Sequence, residues 1–266
     1  LAFDMDLSKD FHVNAIGGFN GNERKYSYLY ADVKNLTIPT YYSLTNSAEK
    51  PSIENYYTLR RLMGVYGSVE LSWKNMLYLS ATARNDWSST LPKGNRSFFY
   101  PGVTASWLFS QLLNEDLKKY ISFGKFRVAW GKTGNDANVY MTGTTYAQAG
   151  SSSTGWGESN FPFTKVNVNA YSEGNVLGST TLSPEMTTET ELGLNMAFLN
   201  NRLSFDLAYY NRITDKQIFS LDMDPATGYT AQNINLGKVR NRGIELLVNV
   251  TPIKTRDFQW DLTWNY

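Results

Sequence analysis

The chain has 266 residues, 15% of them aromatic and only 18% charged, against ~25% charged in an ordinary soluble domain. A formal net charge of +1 offers no concentrated basic face for nucleic acid, and no cysteine accompanies the one histidine, His12. Disulfides, thiol catalysis and Cys-ligated metals are thereby excluded, and His12 alone builds no histidine metal site.

The mean hydropathy of -0.39 and the lack of any run near the ~18 apolar residues of a spanning helix argue against a helical membrane protein. A β-barrel escapes that test, because only alternate residues of its strands meet lipid. The first residues, Leu1-Ala-Phe-Asp-Met-Asp-Leu7, already alternate as a strand does. No signal peptide precedes them, so the chain is expected to start inside a fold and to be an internal or processed piece.

A long polar connection is expected over residues 20–57. Strict alternation then sets Val65, Gly67, Val69, Leu71 and Trp73 against Tyr66, Ser68, Glu70 and Ser72. Trp73-Lys-Asn-Met76 has hairpin-turn chemistry, and beyond it Leu77, Leu79, Ala81 and Ala83 oppose Tyr78, Ser80, Thr82, Arg84 and Asp86. A polar connection follows at 87–98, and Ser110 to Tyr120 reads as a short helix with Leu113 and Leu117 at i and i+4. The longest connection, 134–186, holds Gly150-Ser-Ser-Ser-Thr-Gly-Trp-Gly157 and would be out of place inside a compact soluble domain.

Leu192, Leu194, Met196 and Phe198 form the next apolar row, and Leu199-Asn-Asn-Arg202 turns the chain into Leu203, Phe205, Leu207 and Tyr209. After a connection at 222–235, Ile244, Leu246, Val248 and Val250 lead through a turn at 252–257 to Phe258, Trp260, Leu262 and Trp264. These runs of ~9–11 residues match a tilted strand crossing a bilayer and exceed the ~5–6 usual in soluble sheets. Aromatic residues gather at their ends, where amphipathic rings suit a headgroup layer. Short turns alternate with long loops, as in a transmembrane barrel with short periplasmic and long extracellular connections. The fold expected is all-β, an antiparallel transmembrane β-barrel present in part; a soluble all-β carbohydrate-binding module is the alternative the alternation leaves open.

Five stretches, in order, resemble the barrel motifs of one family. They are Leu77-Tyr-Leu-Ser-Ala-Thr-Ala-Arg-Asn-Asp-Trp-Ser-Ser89, Phe98-Phe-Tyr-Pro-Gly-Val-Thr-Ala-Ser-Trp107, Phe126-Arg-Val-Ala-Trp-Gly-Lys-Thr-Gly-Asn135, Leu182-Ser-Pro-Glu-Met-Thr-Thr-Glu-Thr-Glu-Leu-Gly193 and Asn235-Leu-Gly-Lys-Val-Arg-Asn-Arg-Gly-Ile-Glu245. They are similar to the SusC/RagA-type TonB-dependent transporters of the bacterial outer membrane. Asn85-Asp-Trp87 departs from the family's common Arg-Asp-Gly, and Tyr100-Pro101-Gly102 from Phe-Pro-Ser; neither change upsets a barrel strand.

The resemblance implies that residues 1–266 are part of the barrel, with the N-terminal extension and plug domain of such transporters missing. It implies import of oligosaccharides or peptides, a SusD-like surface lipoprotein as partner, coupling to the TonB complex through the plug region, and contact with outer-membrane lipid. A non-energised porin or adhesin barrel is the alternative. No catalytic residue, cofactor or metal is expected; Asp222 and Asp224 lack the spacing of a Ca²⁺ loop. Arg84, Asp86 and Arg127 are expected to face the lumen as charge pairs or solvated groups. Trp156, Phe161, Phe163 and Tyr171, in the longest loop, have the residue type for stacking on a sugar and are the substrate-contact candidates, with packing of the loop itself as the plainer role.

Overall fold

Alternating sequence becomes strand wherever one row of side chains can be surrendered to an apolar environment and the other kept polar. A computed structural model describes residues 1–149, 152–154, 157–159 and 170–266. Along the chain run β1 (Ala2–Asp6), β2 (Phe11–Asp32), β3 (Ser52–Trp73), β4 (Leu77–Ser88), β5 (Ser97–Trp107), α1 (Glu115–Lys118) and β6 (Ile121–Asn135). Short loop strands follow: β7 (Tyr146–Gln148), β8 (Ser152–Thr154), β9 (Gly157–Ser159), β10 (Tyr171–Glu173) and β11 (Val176–Leu177). The chain continues with β12 (Glu185–Phe198), β13 (Leu203–Asp215), β14 (Ile218–Asp222), β15 (Ala231–Asn235), β16 (Lys238–Lys254) and β17 (Gln259–Asn265).

Ten of these strands form one antiparallel sheet in the order β1-β2-β3-β4-β5-β6-β12-β13-β16-β17, open at β1 and β17. Cross-strand partners share a face. Val13, Leu71, Leu79, Ala105, Val128, Leu192, Tyr209 and Ile244 therefore make one apolar row across eight strands. One residue along, Asn14, Glu70, Ser80, Thr104, Ala129, Glu191, Tyr210 and Gly243 make a mainly polar row on the other face. The faces assigned from alternation are those observed.

Among the described residues no second sheet covers the apolar face; Leu79 is 48% exposed and Val69 50%. A patch of that extent suits lipid and would not persist in water. No helix of the described residues is long and apolar enough to cross a membrane. Among the described residues a buried apolar cluster forms at the long-loop end, where Leu91, Phe98, Ala137 and Leu182 pack against Leu62, Tyr100, Met141, Met186 and Ile218.

The apolar band runs obliquely to the hydrogen-bonded rows. On β16 the last apolar outward residue before the loops is Ile244, which lies in the row of Leu71. On β3 the band continues from Leu71 to Met63, eight residues further along the strand and six strands away. At the short-turn end Phe11 packs near Trp73, Trp107 near Phe109, and the Lys74 ammonium lies 5.1 Å over the Trp73 ring. This is the amphipathic girdle expected where a strand leaves lipid.

The turn at Trp73-Lys-Asn-Met76 places Lys74 and Asn75 at φ 52° and 51°, and Leu199, Asn200 and Asn201 are left-handed in the second short turn. Three expectations are corrected. Half of residues 20–57 is strand and the connection shrinks to 33–51, because β2 and β3 pair over 22 residues up to Asp32 and Ser52, twice the length a bilayer needs. Pro252 belongs to β16, at a bulge between Val250 and Ile253 where a missing N–H is tolerated, and the turn closes at Thr255 to Phe258. The helix expected over Ser110–Tyr120 breaks in two: a 3-10 turn at Phe109–Leu112, then the single turn of α1, begun where Asn114 accepts from the Leu117 N–H at 3.0 Å.

Candidate functional site

The polar face carries its charge in compact networks that bridge strands. Arg84 Nε donates to Asp86 Oδ1 at 2.8 Å, Tyr100 on β5 donates its hydroxyl to the same carboxylate, and the guanidinium lies 5.6 Å over the Tyr66 ring of β3. The pair needs Gly64 beside it, since a Cβ there would stand 2.1 Å from Asp86 Oδ1. Arg127 on β6 reaches Glu191 and Asn195 on β12 at 3.2 and 2.5 Å, and Asp206 on β13 at 2.9 Å. Arg212 donates to Glu189 at 2.9 Å. Between the first and last of these lies a trough of about 490 Å³ whose floor is Ser80, Thr82, Gly102, Thr104 and Gly131 and whose ends are Arg84 and Glu189. Small floor residues leave backbone within reach of whatever packs there.

At the long-loop end one carboxylate fastens three segments. Asp136, with a side chain 4% exposed, receives Arg60 of β3 in a bidentate pair at 2.9 and 2.5 Å, Thr90 Oγ1 at 2.9 Å, and the Ser88 hydroxyl. Burial pushes its pKa up, but the hydrogen bonds from Arg60, Ser88 and Thr90 outweigh that and hold the carboxyl below the usual carboxylate range. Beside it, Asn235 Oδ1 accepts from the Ser183 N–H at 2.8 Å while its amide donates to Ser183 and Lys216 carbonyls. Glu185 accepts from Ile218 N–H at 2.7 Å and Asn135 Nδ2 at 3.2 Å, and Asn95 donates to the Leu182 carbonyl at 2.9 Å. The loops after β4, β6 and β13 are thus pinned together at their bases.

Above that belt the paired extension of β2 and β3 carries a tyrosine cluster on the polar face. Tyr28 and Tyr56 are direct cross-strand partners with ring centroids 5.6 Å apart, Tyr26 lies 6.1 and 6.5 Å from them, and Tyr28 donates to Glu54 at 2.5 Å. Of the loop aromatics expected to meet substrate, Tyr171 stands 70% exposed on β10, which pairs with β7. Trp156, Phe161 and Phe163 lie outside the described residues. Asp224 caps the 3-10 turn at Pro225–Thr227 through the Ala226 N–H, and no cluster of metal-ligating side chains occurs among the described residues.

The family model described as "TonB dependent receptor-like, beta-barrel" matches residues 1–266. The chain belongs to this family. The TonB-dependent receptor SusC of Bacteroides thetaiotaomicron is 30% identical over 222 residues, 79% of this chain and 20% of that protein. TonB-dependent receptor P26 of Formosa agariphila is 23% identical over 269 residues, 99% of this chain and 26% of that protein. Among solved structures, the RagAB peptide transporter aligns over 99% of this chain and 28% of its own, with a TM-score of 0.85 at 18% identity, a likeness of fold. The chain spans 20–26% of the length of these curated relatives.

Within this TonB-dependent receptor barrel, the five sequence motifs meet at two levels. Arg84, Asp86, Tyr100, Arg127 and Glu191 knit the wall, while Asn135, Leu182, Glu185 and Asn235 bind the loop bases. Sequence reading passed over Asp136 and the tyrosine cluster. Asp136 directly follows the Gly134-Asn135 ending of a motif, and Tyr26, Tyr28 and Tyr30 already alternate at the period of a strand. Assigning 20–57 to a loop hid that second signal.

Proposed function

We propose that the chain is wall and outer rim of an outer-membrane, TonB-dependent importer of oligosaccharides that works with a SusD-like surface lipoprotein. The observation that carries this reading is the family match across all 266 residues, joined by 30% identity to SusC over most of the chain. The polar face carrying Arg84, Asp86 and Arg127 lines the lumen and holds its shape, and the apolar face meets lipid. The open edges at β1 and β17 pair with further strands of a larger barrel, since unpaired edges are not tolerated in hydrocarbon. Sugars are favoured as cargo by the tyrosine cluster at Tyr26, Tyr28 and Tyr56, in which the exposed Tyr26 and Tyr56 and the nearby Glu54 carboxylate suit a pyranose ring and its hydroxyls. Tyr171, with Trp156, Phe161 and Phe163 of the same loop, is a second contact region. The barrel makes or breaks no bond.

Uptake of labelled oligosaccharides and labelled peptides by cells expressing the full-length receptor tests the reading, with and without a functional TonB complex. Sugar uptake that stops when TonB is removed is expected. TonB-independent uptake would favour a diffusion porin, and uptake of peptides alone would replace the cargo.

A further inference from the structure

We propose that the lumen wall is a charge filter, a net anionic face that admits neutral oligosaccharides and holds back acidic ones such as uronate-containing or sulfated chains. The inference narrows the cargo class proposed above and rests on that reading. From the short turns up to the row of Thr82, Gly131 and Glu189, the polar face carries eight carboxylates against three cations, Lys125, Arg127 and Arg212. Five negative charges are left over.

The excess lies on both flanks of the sheet. Asp4 and Asp6 on β1 and Glu70 on β3 share those rows with one basic side chain, His12, which lies 2.9 Å from Asp6 Oδ1 and 3.6 Å from Asp4 Oδ1. Even protonated, it cancels one charge of three. On the far flank Arg127 is divided between Glu191 and Asp206, while Arg212 holds Glu189. Asp261 on β17 is met by neutral donors, Thr251 Oγ1 at 2.6 Å and Gln259 Nε2 at 2.7 Å. Glu70 and Glu245 are exposed and form no ion pair among the described residues.

Between these flanks the wall of β4 and β5 is uncharged. Ser80, Thr82 and Thr104 present hydroxyls along the trough, able to exchange hydrogen bonds with those of a sugar. Arg84, at one end, is already neutralised by Asp86 at 2.8 Å. An acidic chain on that floor has Glu70 one strand from Ser80 on one side, and Glu189 and Glu191 lining the trough on the other. Lipid behind the wall is a poor dielectric, so the field is concentrated into the lumen. Physiological salt screens it beyond ~8 Å, so the filter acts on cargo that moves along the wall.

The test uses the full-length receptor in outer-membrane vesicles with Thr82→Cys on the neutral floor. Its modification rates by a cationic and an anionic methanethiosulfonate of similar size are each divided by the rate with a small free thiol, the unsubstituted receptor giving the background. A preference of about tenfold for the cationic reagent is expected at low salt, shrinking as salt is raised. Adding Glu70→Gln with Glu245→Gln should lower it, whereas Glu70→Asp with Glu245→Asp should keep it. Equal rates, faster anionic modification, or a preference unmoved by the Gln pair overturns the proposal; should that pair fail to assemble, the salt series decides. A thiol that neither reagent reaches overturns it as well, by removing Thr82 from the lumen. Uptake of radiolabelled hexasaccharide pools from neutral and from uronate-rich polysaccharides gives the cargo arm: the neutral pool should enter faster, and faster entry of the uronate pool would also overturn the filter. Uptake of peptides alone would strike the sugar reading, and the thiol rates would still decide the charge of the wall.

Discussion

Asp136 ties together separate segments of the chain at the long-loop end, since Arg60, Ser88 and Thr90 all depend on it. Replacing it with Ala leaves the Arg60 guanidinium and two hydroxyls without their acceptor, a cost of about 2–3 kcal/mol where charged hydrogen bonds are lost. Hydrogen exchange should report this locally, with faster exchange around 88–96 and 136–141 and little change in β12 or β13. The sign of the pH effect follows from the lowered pKa. The network contributes fully above the ~3.9 of a free aspartate and is lost as pH falls through the lower folded value. Wild-type loop protection should therefore fade below about pH 4 while the Asp136→Ala variant shows a weaker pH dependence there. Equal fading in both proteins would place the acid sensitivity elsewhere.

At the scale of the strand, facing decides what a substitution does. Leu79 lies mid-row among Leu71 and Ala105, so Leu79→Arg buries a guanidinium in lipid at ~2–4 kcal/mol, and assembled, heat-modifiable barrel should fall sharply. Thr82→Arg, over the glycine floor of the opposite face, should assemble at near wild-type level; similar behaviour of the two variants would contradict the facing. The β2–β3 extension is separable from the wall. Tyr26→Ala with Tyr56→Ala should leave assembly intact and weaken oligosaccharide binding to the full-length receptor about tenfold, each ring contact being worth ~0.5–1.5 kcal/mol. Isothermal titration would detect it, and unchanged affinity would remove the cluster from the cargo path. These strands also mark where sequence is and is not legible. Leu77 to Ala83 could be read because a lipid face forces every second residue to be apolar. Asn20 to Asp32 was harder to read, because no row of aliphatic residues runs along it: only Tyr26, Tyr28 and Tyr30 alternate, and the polar residues Glu23, Arg24 and Lys25 before them look like loop. The networks were half legible: Arg84 and Asp86 are two residues apart and share a face by period, whereas Arg127 meets Asp206 across two strand boundaries that only the register reveals.

The whole sheet carries its orientation within its pattern. Eight residues of drift are ~26 Å along the strands and six strand spacings ~29 Å across them, which sets the strands ~42° from the membrane normal, inside the range of closed barrels. Polarised infrared dichroism of the reconstituted receptor should return an amide axis near that angle; strands close to upright would break the link between the band and the bilayer. Of the architecture, the hairpins turning at 73–76 and 199–202 and the faces of their strands were visible beforehand, while the long β2–β3 hairpin and the tilt were not, the tilt because it is a relation between strands and no single strand contains it.

That lean has a mechanical meaning for the paired extension of β2 and β3. A bilayer core ~25 Å thick takes up only ~10 residues of a strand so inclined, leaving ~12 of the 22 to rise ~29 Å above it. The same ~12 residues also travel ~26 Å sideways, in the direction from β17 toward β1, so the tyrosines overhang the neighbouring stretch of wall and not their own base. The extension is a cantilever: a load taken at its tip twists the strands at its root, where Arg60 grips the carboxylate that ties the outer loops together.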